Sequence, residues 1–500
     1  MDDDSNMNET RSAVSRSADQ QLTAGVLGTS SIVFMVIAVS APLAVVVALM
    51  PMAFAFGNGA GVPGTWLFAI GAMFLFAVGY VRIIPYVKNA GAFYAYISAS
   101  FGRTVGLGAA YVAALSYFAL CCSTLGALAF FSADLFESLT GLHVRWEVWT
   151  AIAIGLLIFF AYHRITLAAG VLAAVLIAEI GVVLVLCVAI LIQRGLPAFN
   201  VADLAPGTVI APGLGIALIY AFNSMIGFEG TAIYQEEARN RVVTIPRATY
   251  ISVFLVGAFY VVTAWSLSTS VGSDVVSSVA RRDPGHFVAA IAEDYLGRWG
   301  SGAFSVLVLT SAFAAVLGLF NNTTRYLYAL ARDGVLPRPL AQVHPRFGSP
   351  HVAGVVLSIV LIVVMGLCAL AGFHPLLTIS TSLVGLGSVG LMMLLALTSL
   401  GIPVFFARRG SYGLKLTLAP AVGGLIIAIA VWLAIDNYSA VTGVESMIVN
   451  RLPWVLAIVA AVGLVQARWL RAHRPQTYEQ IGKSRVEEET ASKQPVPALS

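Results

Sequence analysis

Apolar runs of membrane-crossing length recur along this chain and leave few folds open to it. A bilayer-spanning helix needs about 20 mostly apolar residues, roughly 17–25. Twelve stretches meet that description, near residues 31–56, 64–81, 104–131, 146–162, 165–192, 213–235, 247–270, 302–331, 352–371, 376–405, 416–435 and 453–470. Helices satisfy their own backbone in lipid, so the expected class is an all-α polytopic membrane protein of about 12 transmembrane helices. Only 10% of the residues are charged and 59% are hydrophobic, whereas a soluble domain carries about 25% charge. So few charges cannot cover a water-exposed surface.

Several function classes drop out. No basic patch interleaved with aromatics points to nucleic acid. Cys121, Cys122, Cys187 and Cys368 lie inside apolar runs without metal-ligand spacing and read as small buried hydrophobes. The run Gly57-Asn58-Gly59-Ala60-Gly61 is not followed by Gly-Lys-Ser/Thr and is expected to be a turn, not a phosphate loop. There is no catalytic constellation, so neither enzyme activity, cofactor nor metal is expected.

Loop charges set the expected orientation. With the N-terminus in the cytoplasm, 22 of the 28 Lys and Arg residues fall on the inner side and 6 on the outer. A multi-pass protein of the cell membrane with both termini cytoplasmic follows. The first apolar run is too long for a signal-peptide core and is expected to be retained. Residues 1–24 and 475–500 are polar and expected to be disordered cytoplasmic tails. Residues 25–192 form a first set of five spans, 213–405 a second set of five, and 416–470 two additional helices. Five is odd, so the second set starts on the opposite side of the membrane and is inverted relative to the first.

The first span of each set is interrupted. In the first, Ser40-Ala41-Pro42 places a proline that lacks an N–H after two small residues. The helix restarting there directs a positive dipole end at the gap, suited to a carboxylate. A simple proline kink is the alternative. In the sixth span, Gly227-Phe228-Glu229-Gly230 sets a carboxylate between two glycines in mid-membrane. Glu229 could attract an ammonium group, carry a proton or bridge the half-helices, or be a protonated structural side chain; Phe228 could cover a ligand. Paired interruptions in two repeats point to a transporter's binding site.

Other polar groups are candidates. Glu179 is the only ionisable side chain between Ile165 and Ile192. Desolvation penalises its charge, which suits a proton carrier, though a neutral structural Glu fits as well. Asn223 and Ser224 on span six, and Asn321, Asn322, Thr323 and Thr324 on span eight, either bind solute or join helices, with Asn223 and Asn321 the chosen candidates.

Three further segments carry a resemblance. They are Pro85…Asn89-Ala90-Gly91-Ala92-Phe93-Tyr94-Ala95-Tyr96…Phe101-Gly102, Gly227-Phe228-Glu229…Glu236-Glu237-Ala238-Arg239-Asn240…Ile245-Pro246-Arg247, and Arg325-Tyr326-Leu327-Tyr328-Ala329-Leu330-Ala331-Arg332-Asp333-Gly334-Val335-Leu336-Pro337. Together they resemble the amino acid–polyamine–organocation permeases over roughly 25–405. The resemblance implies a LeuT-like 5+5 inverted repeat with discontinuous helices 1 and 6, and transport of amino acids, polyamines or related amines. It implies a small-molecule site between the breaks, at Ser40, Ala41, Gly227, Phe228 and Glu229, to which the residue pattern of this chain adds Pro42, Gly230, Asn223 and Asn321. The chain departs from the family at the first break, which is often Gly-Ser-Gly there, and at Glu179, near where some proton-coupled members carry Lys. Coupling through Glu179 or Glu229 is therefore an expectation of this chain's own residues. A channel would call for pore-lining polar rings or a filter sequence, and neither is evident.

Overall fold

The computed structural model describes residues 28–87, 92–163, 169–228, 238–344, 349–439 and 450–481. All regular structure among them is helical. Among the described residues, ten helical stretches, with Thr29–Phe56 counted as one, are long and apolar enough to cross a membrane, and two shorter apolar helices stand where the fourth and sixth spans are expected.

The first span is two helices. α1 (Thr29–Val39) ends as Pro42, lacking an N–H, denies Ala38 its helical partner. Ala41 turns the chain with φ 45°, the only positive φ outside glycine among the described residues. α2 then runs Pro42–Ala44, loosens into a π-helical stretch at Val45–Leu49, and finishes as Met50–Phe56.

α3 (Val62–Ile83), α4 (Ala92–Phe101), α5 (Arg103–Thr140), α6 (Trp146–His163) and α7 (Ala169–Arg194) complete the first half. α8 (Leu214–Ser224) opens the second, followed by α9 (Arg241–Val271). Two short helices, α10 (Val276–Arg282) and α11 (Phe287–Leu296), cap one end of the bundle before α12 (Arg298–Arg332) and α13 (His351–Leu370). α14 (Thr381–Ala407) enters through a π-helical turn at Pro375–Ser380. α15 (Ala419–Asp436), α16 (Pro453–His473) and the short α17 (Pro475–Gln480) end the described chain.

α5 is the central post, packing on α4, α12, α14 and α16, while α3 packs on α8, α9 and α15. In lipid, helices associate through close packing, which small residues permit. A Cβ on Gly215 of α8 would stand 2.2 Å from the Leu433 carbonyl oxygen of α15. Outward faces stay apolar: Leu425, Ile429 and Trp432 of α15 are all exposed, as a lipid-facing stripe requires.

The segment expected to be a tail from residue 475 begins with α17. Tyr478 there shares a 3.0 Å hydrogen bond with Thr104, and Ile481 is buried. Residues 1–27 and 482–500 lie outside the described residues.

Candidate functional site

The break between α1 and α2 rearranges its backbone hydrogen bonds in a specific way. Ser40 N–H is shared between the carbonyls of Val36 and Ile37, both at 3.2 Å, and Ser40 Oγ donates to Val36 O at 3.1 Å. Tyr260 of α9 donates to Ser40 O at 3.4 Å. On the other side of the break, the first N–H groups of α2 need partners. The carboxyl of Glu179 on α7 lies close to Leu43 N–H and to the hydroxyls of Thr310 and Ser311 on α12. Ser311 Oγ accepts from Ala44 N–H at 3.2 Å. Leu43 would otherwise bond Val39 O, so Ala38 and Val39 carbonyls both lose their helical partners at the gap.

Thus α7 and α12 cap α2 from outside the helix. A carboxyl at a helix N-terminus is electrostatically favoured, by about 0.3–1 kcal/mol when exposed and up to about 2 when partly buried. Glu179 is buried. Its placement explains how an acidic residue is accommodated between apolar helices: a backbone amide and two hydroxyls meet it.

A cavity of about 90 Å³ lies against the break. Ser40 and Ala41 line it from the break, Ser123 and Thr124 from α5, Asn223 from α8, and Asn322 from α12. Asn223 Oδ1 accepts from Ser388 Oγ of α14 at 3.0 Å, so its N–H groups are what it can offer a solute. Ser123 Oγ donates to Ser380 O at 2.8 Å, closing the wall where the π-helical turn meets α5. No charged side chain lines this cavity among the described residues.

The residues singled out from sequence are distributed as follows. Ser40, Ala41 and Asn223 line the cavity. Pro42 starts α2 and is buried beside it. On α12, Asn322 lines the wall and Asn321, one residue earlier, does not. α8 ends at Ser224, three residues before the first glycine of the expected break, and Ser224 Oγ accepts from Trp66 Nε1 at 3.0 Å. Gly227 has φ 115°. Phe228 is buried edge-on against Phe76 and Tyr80 of α3, with ring centroids at 5.6 and 6.0 Å. Glu229 and Gly230 lie outside the described residues.

Sequence reading missed Ser311 and Tyr260, and of the neighbours Asn321 and Asn322 it singled out Asn321. The run Thr310-Ser311 is a polar pair inside an apolar span, a signal available beforehand. Nothing in sequence set Asn322 apart from Asn321; helix rotation decides between neighbours about 100° apart. Tyr260 is an interior aromatic like many others until α9 is packed on α1.

At the end capped by α10 and α11, the loop residue His286 bonds Asp134 of α5 and Asp283, each at 2.9 Å. The bond to Asp134 raises its imidazole to about 9. Arg281 Nη2 donates to Ala55 O at 2.7 Å, tying α10 to the end of α2.

The amino acid permease family model matches residues 27–483. The low-affinity putrescine importer PlaP of Escherichia coli (strain K12) is 25% identical over 425 residues, 81% of this chain and 84% of that protein. The branched-chain amino acid permease BcaP of Bacillus subtilis (strain 168) is 23% identical over 141 residues, 28% of this chain and 29% of the relative. Cationic amino acid transporter 7, chloroplastic, of Arabidopsis thaliana is 31% identical over 150 residues, 29% of this chain and 24% of the relative. This chain therefore spans under a third of the latter two proteins and most of the first.

Proposed function

The chain belongs to the amino acid permease family, and from that membership we propose that it carries amino acids or related amines across the cell membrane by alternating access. The single observation carrying the proposal is the cavity at an interrupted helix, lined by Ser40, Ala41 and Asn223. Membrane-spanning helices keep such breaks only where protein, water or a solute meets the exposed backbone.

In this reading the helices form a LeuT-like 5+5 inverted repeat, with α1 and α2 as the first discontinuous helix and α8 opening the second. Both termini lie in the cytoplasm, as the 22-to-6 bias of basic residues favours. The carbonyls of Ala38 and Val39, without helical partners, accept the solute's ammonium. Asn223 and the main chain at Ala41 face its carboxylate. Glu229 organises the second break and adds an anionic contact for an amine. Glu179 is the coupling group: when ionised it caps α2 strongly, and when protonated it does so weakly, so proton binding alters how firmly α2 is held.

Substrate is either an amino acid or a diamine. The PlaP match, covering most of both chains, favours amines; an uncharged cavity wall favours a compact neutral amino acid. Uptake of radiolabelled amino acids and polyamines into proteoliposomes decides between them. Saturable uptake accelerated by unlabelled solute on the opposite side is expected. Flux that never saturates and shows no trans-stimulation would replace the carrier with a channel. Glu229→Gln is expected to insert normally and transport slowly; full-rate uptake by that variant removes Glu229 from the mechanism.

A further inference from the structure

A second and larger cavity, about 600 Å³, lies on the flank of the bundle between α5, α6, α7 and α12. It shares one wall residue, Ala41, with the central cavity. Specific small-molecule sites are typically about 300–1,000 Å³, mostly apolar, with a few placed polar groups. This cavity fits that description. Leu128, Ile152, Leu156 and Phe160 give it an apolar wall, and Glu179 is its one ionisable residue among the described residues. Ile152 is 49% and Leu156 44% exposed. The cavity therefore opens on the outer face of α6, which lipid covers in a membrane. Trp149, also in the wall, has a buried indole N–H with no hydrogen-bond partner.

We propose that this flank cavity is a binding site for lipophilic amines that enter from the bilayer, with the ammonium on Glu179 and the hydrocarbon along Leu156 and Phe160. The chemistry of the lining selects this class. A single carboxylate repels fatty acids and anionic headgroups and attracts a cation, and inside a membrane an acidic side chain gains most from a charged partner. Thr310 and Ser311 add hydroxyl acceptors at the same end. Because Glu179 also lies close to Leu43 N–H, a bound amine sets its charge beside the first turn of α2 and holds the break in its present form. Such an amine slows transport without competing for the central cavity. The site does not depend on which solute is carried, or on transport at all.

The test uses the full-length protein in neutral phosphatidylcholine vesicles. Dodecylamine bearing a terminal diazirine, and the matching alcohol, are photolysed and their adducts mapped by mass spectrometry. The amine is expected to label residues 152–160 at least about tenfold more than the alcohol, a ratio equivalent to ~1.4 kcal/mol of binding. Glu179→Gln is expected to bring amine labelling down to the alcohol level. Leu156→Trp, filling the cavity from an exposed position, is expected to reduce it without disturbing the folded core. Equal labelling of the wild-type protein by amine and alcohol overturns the proposal, as does labelling that Leu156→Trp leaves unchanged. Because the readout is binding, a failure here leaves the transport reading standing, and a failure of transport leaves this one standing.

Discussion

The carboxyl of Glu179 lies beside the backbone N–H of Leu43, the second residue of α2. A side chain from the fifth expected span thereby stands at the start of the helix that completes the first. This couples a titratable group to the geometry of the break without direct contact with the central cavity, which Glu179 does not line.

Glu179→Gln keeps an oxygen that can accept from Leu43 and removes the titration. We expect this variant to lose uphill accumulation driven by a pH gradient while retaining counterflow exchange. Uptake measured against external pH should become flat; a wild-type pH profile in the variant takes Glu179 out of coupling. Glu179→Ala, which deletes the cap, should also cost about 0.5–2 kcal/mol of stability.

Ala41 holds φ 45° and ψ 65°, a left-handed conformation that costs an L-residue about 1–2 kcal/mol. Ala41→Gly should raise the melting temperature in detergent, because that strain exceeds the roughly 0.5–1 kcal/mol entropic cost of a glycine. Ala41→Val adds a β-branch where positive φ is least tolerated and should lower it. Thermal unfolding of the three proteins checks the order.

Asn223 bonds Ser388 at 3.0 Å and faces the cavity. Asn223→Ala removes a neutral hydrogen-bonding group worth about 0.5–1.5 kcal/mol, so KM should rise roughly twofold to thirteenfold with little change in kcat, the pattern of lost ground-state binding. Ser388→Ala should give a smaller effect in the same direction, because it only orients the amide.

Gly215→Ala drives a methyl group to 2.2 Å from the Leu433 carbonyl oxygen. Backbone cannot swing aside as a flexible side chain can, so α8 must move off α15. A loss of about 1–3 kcal/mol is expected, read as a lower melting temperature. Gly207→Ala, at a position where an added Cβ meets nothing within 4 Å, is the matched control.

His286 is raised from its ordinary value near 6.5 to about 9, chiefly by its bond to Asp134. A folded-state value above the unfolded one means stabilisation that is complete below about pH 6.5 and lost as pH rises through about 9. Melting temperature followed from about pH 6 to about pH 10 should fall across that window, and the fall should be smaller in His286→Gln. Asp134→Asn should shift the window downwards. The pair is half exposed, so the effect is modest.

Much of this protein is legible without coordinates. Alternation of apolar runs with basic loops determines an all-helical membrane bundle, because lipid offers no partner to an unpaired backbone group. The break at Ser40-Ala41-Pro42 is equally local: proline has no N–H to give, whatever surrounds it. The family is legible too, in motifs spread from Pro85 to Pro337.

What tertiary structure alone decided is which side chains meet. Sequence marks Glu179 as an acid among apolar residues, yet says nothing of Leu43, 136 positions away in number and adjacent in space. It does not tell Asn322 from Asn321, since both share one run and only the rotation of α12 turns one to the cavity. It gives Phe228 no partners, and packing sets that ring against Phe76 and Tyr80. Backbone chemistry acts within a few residues, so the chain declares where helices form and break. Side-chain convergence depends on how separate helices rotate and dock, and that is settled only when all of them are packed together.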